Sequence, residues 1–216
     1  MYILISPTNQ KRTVLQSMKP IIVCDEDDVF SDRMSVLVSL LNRVTGKQLG
    51  LDDMQDSRLW VPYGLTRDEL NRIRQQVEST LDVTQLAPIA GALKAYDVLS
   101  QNFSFVIATA RYTSELEATQ EWHLRRGHDV SVELCACPDI NCGSSRCAGR
   151  EPKLRLAHKL DAHSVIDDHP GEFLLEGRPE AWGGIIPICF RQPWNQDCEG
   201  VVHRLSWGEI TELLLH

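Results

Sequence analysis

The chain has 216 residues, 43% of them hydrophobic, with 30 acidic against 22 basic side chains and a formal net charge of −8. That length buries one substantial core, alone or with a subdomain, and no apolar run is long enough to cross a bilayer. The acidic balance repels phosphate backbones at long range and argues against a general nucleic-acid binder, yet it permits a small anionic substrate neutralised locally by a metal.

Residues 1–17 read as an N-terminal extension. The short apolar run in Met1–Pro7 is followed by Lys11-Arg12 with no cleavage pattern, so a cytoplasmic location is expected. A strand is predicted over Pro20–Cys24, and it runs straight into Asp25-Glu26-Asp27-Asp28. On an extended chain, residues i and i+2 point the same way, which puts Asp25 and Asp27 on one side of the strand's end. Like charges at the mouth of a buried strand are costly unless something cationic sits there.

From Ser31 to about Leu86 the pattern changes. Met34, Leu37, Val38, Leu41 and Val44 have helical spacing, closed by Gly46. A second helix opens at the box Thr66–Glu69 and continues through Leu70, Ile73, Val77 and Leu81. No strand pattern separates the two, so this segment is expected to be a helical insert placed like a lid over the first acidic strand.

Strand patterns follow at Phe103–Thr109, Val130–Leu134, Ser164–Ile166 and Ile185–Phe190. A helix over Ser114–Arg126 is predicted to open with Ser114 and Glu117 and to stop at Gly127, and Ser206 with Glu209 opens the last helix. The alternation predicts an α/β fold: a three-layer, Rossmann-like parallel sheet formed by residues 18–30 and 87–216, with a small helical cap over 31–86 inserted after the first strand. Val165-Ile166 runs into a second acidic pair, Asp167-Asp168. Two apolar strands ending in carboxylates imply that their tips converge on one hard cation.

Cys24 and Cys189 lie inside apolar strands, where cysteine behaves as a small hydrophobe. Cys135, Cys137, Cys142 and Cys147 share one Gly/Ser/Pro/Asp/Asn loop. Four thiolates suffice for a closed tetrahedral structural zinc site, but the spacing is not a paired Cys-x-x-Cys, so an unligated loop is an equal alternative. Neither reading makes them catalytic, and a disulfide framework is disfavoured in a reducing compartment.

These pieces resemble the four motifs of the haloacid dehalogenase superfamily of phosphotransferases, in order: Asp25-Glu26-Asp27-Asp28-Val29, then Phe105-Val106-Ile107-Ala108-Thr109, then Lys153 near a helix start, then Val165-Ile166-Asp167-Asp168. A narrower likeness to the 5′(3′)-deoxyribonucleotidase group covers nearly the whole chain. It is carried by Ile188-Cys189-Phe190-Arg191-Gln192-Pro193-Trp194-Asn195 and Arg204-Leu205-Ser206-Trp207-Gly208-Glu209-Ile210. Two departures stand out: Thr109 is followed by Ala110-Arg111 where the animal enzymes have Ser after the Thr, and the lysine lies farther from the acidic pair.

The resemblance implies a phosphomonoesterase in which Asp25 attacks phosphorus and Asp27 is general acid and then base. It implies Mg²⁺ held by Asp25, the Asp27 backbone carbonyl and Asp167 or Asp168. Thr109, Ala110 and Lys153 would hold the phosphate, with Lys159 the alternative lysine. The implied partner is a small phosphate ester, a nucleoside or deoxynucleoside monophosphate; another small ester or a nucleic-acid end is the alternative substrate. Phe30 and Trp60 are candidates to stack on a base and Arg111 to contact phosphate or substrate, whereas Tyr63, Trp122, Trp194 and Trp207 read as packing residues.

Overall fold

The computed structural model describes residues 19–55, 60–78, 81–136, 152–169, 182–196 and 203–216. The expected N-terminal extension lies outside these residues, as do Cys137, Cys142 and Cys147.

Six parallel strands form one sheet: β1 (Ile21–Cys24), β2 (Ser104–Thr109), β3 (Ser131–Leu134), β4 (Ser164–Asp167), β5 (Ile186–Phe190) and β6 (His203–Leu205), in the order β3-β2-β1-β4-β5-β6. The sheet's two faces can be read from the period of two along each strand. Ile22 and Cys24, Phe105 and Ile107, Ile166, and Ile188 and Phe190 join one apolar cluster. The residues between them, Val23, Val106, Ala108, Val165 and Cys189, join another. Both faces are therefore covered, which is why the strands read as almost unbroken apolar runs.

Helices α4 (Ala92–Leu99), α5 (Leu116–Leu124) and α7 (Trp207–Leu215) pack on the first face through residues such as Leu99, Trp122 and Ile210. Helix α6 (Lys153–Lys159) packs on the other through Leu154 and Ala157. Ile166 is fully buried at the centre, so Ile166→Ala is expected to cost about 2–5 kcal/mol, from lost transfer energy and the cavity left behind.

Between β1 and α4 the chain leaves the sheet and returns, building α1 (Met34–Thr45), α2 (Trp60–Tyr63) and α3 (Arg67–Glu78). These have their own apolar cluster of Leu37, Val38, Leu41, Met54, Tyr63 and Leu70, joined by Trp194 from the segment after β5. The outgoing and returning strands of this excursion are tied together: Asp32 N donates to Ala87 O at 2.8 Å and Ile89 N to Phe30 O at 2.8 Å. Helix α1 is capped by carboxylates upstream of it, since Met34 N donates to Asp28 Oδ1 at 2.6 Å and Ser35 N to Asp32 Oδ1 at 3.0 Å. Asp28 itself holds a left-handed φ of 62°, a conformation that aspartate tolerates better than most residues.

Three local expectations are corrected. Val44 is 57% exposed and lies off the buried face of α1. The start of α5 is not a Ser114–Glu117 box; a short 3₁₀ turn at Thr113–Glu115 precedes the helix, and Tyr112 N donates to Glu115 Oε2 at 2.9 Å. The sixth strand was not predicted, because three residues are too few to display a period of two.

Candidate active site

In an open parallel sheet, ligands bind beyond the carboxyl ends of the strands, where the strand order reverses. Here that point lies between β1 and β4. Asp25 extends β1, its N–H donating to Ile166 O at 2.8 Å, and Asp167 closes β4. One carboxylate oxygen from each of Asp25, Asp167 and Asp168 lies within 4.8 Å of the others, and all three residues are buried. Among the described residues this is the one group arranged to hold a metal ion.

Lys153, the first residue of α6, is 3% exposed and reaches into the same group. Its Nζ lies 2.8 Å from Asp25 Oδ1 and also contacts Asp167 Oδ2. Asp167 Oδ1 accepts from His169 N at 2.8 Å. Asp168 Oδ2 accepts from Trp194 Nε1 at 2.8 Å, and its backbone carbonyl accepts from Asn195 Nδ2 at 2.8 Å. The crowding has an electrostatic signature. Burial, with Asp167 and Asp27 nearby, pushes Asp25 up to about 7 against the pull of Lys153. Burial, followed by Asp167 and Asp25, pushes Asp168 well above the usual carboxylate range. Three buried acids sharing one ammonium leave negative charge uncancelled, and an all-oxygen donor set of this kind suits a hard divalent cation such as Mg²⁺.

Asp27 lies two residues from Asp25 in a different environment. Its carboxylate is held by a buried guanidinium: Arg111 Nε and Nη2 donate to Asp27 Oδ1 at 2.9 and 2.5 Å. Arg33 Nη1 stands 3.6 Å from Oδ2. Burial opposes the charge on Asp27, but Arg111 and then Arg33 outweigh it and bring its pKa down to about 2. The Asp27 carboxylate is thus engaged with arginine, and any share in a metal site falls to its backbone carbonyl.

Glu26, between the two aspartates, faces the opposite side of the strand and is fully buried. It lies 2.6 Å from His123 Nε2 and 3.6 Å from Arg111 Nη2. His123 Nδ1 in turn lies 3.1 Å from His128 Nδ1. Despite burial, Arg111 and His123 hold the Glu26 pKa below its ordinary value, so His123 is assigned to donate from Nε2. One proton lies between His123 Nδ1 and His128 Nδ1.

Thr109 ends β2 beside β1, fully buried, with Oγ1 accepting from Arg111 N at 3.2 Å and its carbonyl accepting from Cys135 N at 2.8 Å. Ala110 follows at the same strand end, partly buried.

Two residues expected to contact substrate are buried in the protein. Phe30 is fully buried, 5.0 Å from the Trp207 ring and 5.4 Å from His123, and offers no face to a base. Arg111 is 1% exposed and donates to Asp27, Ser31 and Thr119, so its guanidinium is built into the protein and does not meet a ligand directly. Trp60 is half-buried against the α1–α3 cluster, with the Arg67 guanidinium 5.8 Å from its ring centre. Cys135 is buried with Leu154 and Ala157, and its three loop partners lie outside the described residues.

Sequence reasoning missed the supporting groups: Glu26, Arg33, His123, Trp194 and Asn195. Only Glu26 carried a signal, since a charge that alternation turns into a core demands a buried partner. Trp194, expected to pack, does so and also orients Asp168.

No protein-family model matches the chain. Over 160 residues it is 25% identical to a Bacillus subtilis protein named "Putative nucleotidase YqfW", covering 74% of each. Among solved structures it resembles a haloacid dehalogenase-like protein of Agrobacterium tumefaciens (TM-score 0.59, 14% identity, 91% of this chain and 98% of the other). It also resembles a haloacid dehalogenase-like hydrolase of Streptococcus pneumoniae (TM-score 0.58, 12% identity, 91% and 98%). A family hydrolase of Deinococcus radiodurans with bound phosphate and sodium has a TM-score of 0.54 at 13% identity, with coverage of 91% and 95%.

Proposed function

We propose, for a chain whose fold is that of the haloacid dehalogenase-like hydrolases, that this site is a Mg²⁺-dependent phosphomonoesterase for a small phosphate ester, a nucleoside or deoxynucleoside monophosphate. The observation that supports it best is the buried Asp25–Asp167–Asp168 cluster with Lys153 against it. Mg²⁺ would be held by those three carboxylates and the Asp27 carbonyl; when bound, it supplies the positive charge that lets an anionic nucleophile approach a phosphate dianion.

Asp25 is the nucleophile. Its oxygen forms a bond to phosphorus as the ester P–O bond breaks, leaving an aspartyl-phosphate, and the departing alkoxide takes a proton from Asp27. Water then attacks phosphorus, Asp27 accepts its proton, and the bond to Asp25 breaks to release inorganic phosphate. Acid–base assistance of this kind is typically worth about 10²–10⁴-fold. Asp27 in its arginine pocket is ionised, the form required of the base in the second step. To serve first as acid it must pick up a proton, which an incoming phosphate favours by adding negative charge beside it. Lys153, Thr109 Oγ1 and the Ala110 amide hold the non-bridging oxygens.

Helices α1–α3, carried between Phe30 and Ile89, act as a small cap, and Trp60 is the aromatic there placed to meet a base. The likeness to a protein named as a nucleotidase supports the substrate class. A panel of nucleoside, sugar and glycolate phosphates assayed for released phosphate, with and without Mg²⁺, tests the reading. Preferential turnover of nucleotides is expected; Mg²⁺-independent turnover, or none from any ester, would overturn it.

A further inference from the structure

Arg111 is a buried cation that the proposed chemistry does not call for, yet four elements of the molecule meet on it. Nε and Nη2 both grip one oxygen of Asp27, Oδ1. Nη2 also donates to Ser31 Oγ at 2.9 Å, at the point where the chain leaves for α1. Nη1 donates to Thr119 Oγ1 of α5 at 2.8 Å, and Thr119 in turn donates to Glu115 O. Glu26 stands 3.6 Å behind Nη2, itself fixed through His123 and His128. A planar guanidinium with its donors set in a fork leaves a bound carboxylate little freedom of rotation.

We propose that Arg111 is the positioning residue for the acid–base carboxylate: it fixes Asp27 by Oδ1, and Oδ2, with Arg33 Nη1 3.6 Å away, carries the proton, while Glu26, Ser31 and Thr119 set the angle of the guanidinium. The inference rests on the phosphatase reading and deepens it. It differs from the role the sequence suggested, a direct contact to substrate, and from a merely structural buried ion pair. An anchor for substrate would raise KM for every ester. A structural pair would lower activity toward all esters alike. A group that aims the proton donor matters, in the step that forms the aspartyl-phosphate, only where the leaving group needs a proton. The later hydrolysis, with Asp27 as base, is common to all esters and is left out of kcat/KM.

The test compares p-nitrophenyl phosphate, whose leaving group departs unprotonated, with benzyl phosphate, which is of similar shape but releases an alkoxide. Arg111→Met is expected to lower kcat/KM, which reports formation of the aspartyl-phosphate, for benzyl phosphate by about 10²–10³-fold, as loss of general-acid assistance does, and for p-nitrophenyl phosphate by less than about 5-fold, with neither KM raised. Placed on an Asp27→Asn background it should add almost nothing, because the two residues act as a unit. Equal losses on the two esters, a common rise in KM, or additive losses in the double variant would overturn the inference. Should Arg111→Met fail to fold, Thr119→Val removes one acceptor isosterically; it is expected to lower kcat/KM for benzyl phosphate about 3–10-fold more than for p-nitrophenyl phosphate, roughly the energy of one hydrogen bond. An equal effect on both esters would again overturn it. Wild-type protein inert toward both esters with Mg²⁺ sinks the phosphatase reading and this inference together. Wild-type turnover that Asp25→Asn eliminates, with equal losses in the Arg111 and Thr119 variants, sinks this inference alone.

Discussion

Asp25 and Asp27 are two residues apart, and their carboxylates are driven in opposite directions. Asp25 sits among acids, with burial and its neighbours raising it to about 7, while Asp27 sits among arginines that bring it down to about 2. The sites differ in their company: Asp167, Asp168 and Lys153 on one side, Arg111 and Arg33 on the other. One kind of side chain thereby stands in two charge environments, although the strand's alternation, which sends Glu26 the other way, leaves both aspartates on one side. The acid-rich half is unbalanced until a cation arrives, whereas the arginine half is balanced by the chain itself.

The sharpest way to break that contrast is to remove each acid in turn. Asp25→Asn should lower phosphate release by on the order of 10⁴-fold or more for every ester, as loss of a nucleophile does. Its circular dichroism spectrum should stay native. Turnover that survives would remove Asp25 as nucleophile.

Next comes the charge imbalance. Asp168→Asn should raise the Tm of metal-free protein, because it removes an acid whose ionisation burial and its neighbours oppose. It should also abolish stabilisation by Mg²⁺, which in wild type should reach about 2.7 kcal/mol at one hundred times the Kd. A wild-type Tm indifferent to Mg²⁺ would contradict the metal assignment.

The Trp194 indole donates to Asp168. Trp194→Phe keeps the packing and deletes that bond, and Mg²⁺ affinity measured by calorimetry should fall about 10-fold, the lower end of what lost support of a ligand costs. An unchanged affinity would leave Trp194 as packing alone.

The His123–His128 pair behind the arginine half gives a pH test. Burial, and then His123, lower His128 from its ordinary 6.5 to about 4, with Asp97 and Glu26 acting oppositely and Arg126 in the same direction. The folded protein keeps His128 neutral while the unfolded chain protonates below about 6.5. Its stabilising contribution is therefore complete above about 6.5 and is lost as pH falls toward 4. His128→Phe should flatten the Tm profile across that window. An identical slope in variant and wild type would count against a neutral His128.

The smallest effect is expected at Trp60. Trp60→Ala should raise KM for a nucleoside monophosphate about 3–10-fold, the size of one stacking contact, and leave p-nitrophenyl phosphate nearly unchanged. Equal changes would assign Trp60 to packing between helices.

Much of the fold was legible because parallel strands buried on both faces must be apolar throughout, and β1, β2, β4 and β5 announce themselves in that way, while β3 shows alternation instead. Strand β6, with three residues, could not. Asp25, Asp167 and Asp168 could be named from strand ends, since backbone direction places them at one edge of the sheet, whereas Thr109 and Lys153 were named through the family resemblance. The burial of Phe30 and Arg111 was not legible for one physical reason: an aromatic or a cation beside a motif looks the same in a sequence whether it faces solvent or the core. In the folded chain Phe30 packs on Trp207 and His123, and Arg111 closes on Asp27.

The order of residues alone determined where acids stand at strand tips and that a helical excursion follows the first of them, because periodicity and chain direction are local properties. Only the tertiary structure decided which charges meet. Arg111 lies 84 residues from Asp27, and His123 lies 97 from Glu26. Partners that far apart are chosen by how α5 docks on the sheet, and their desolvated proximity sets the charge each carboxylate carries.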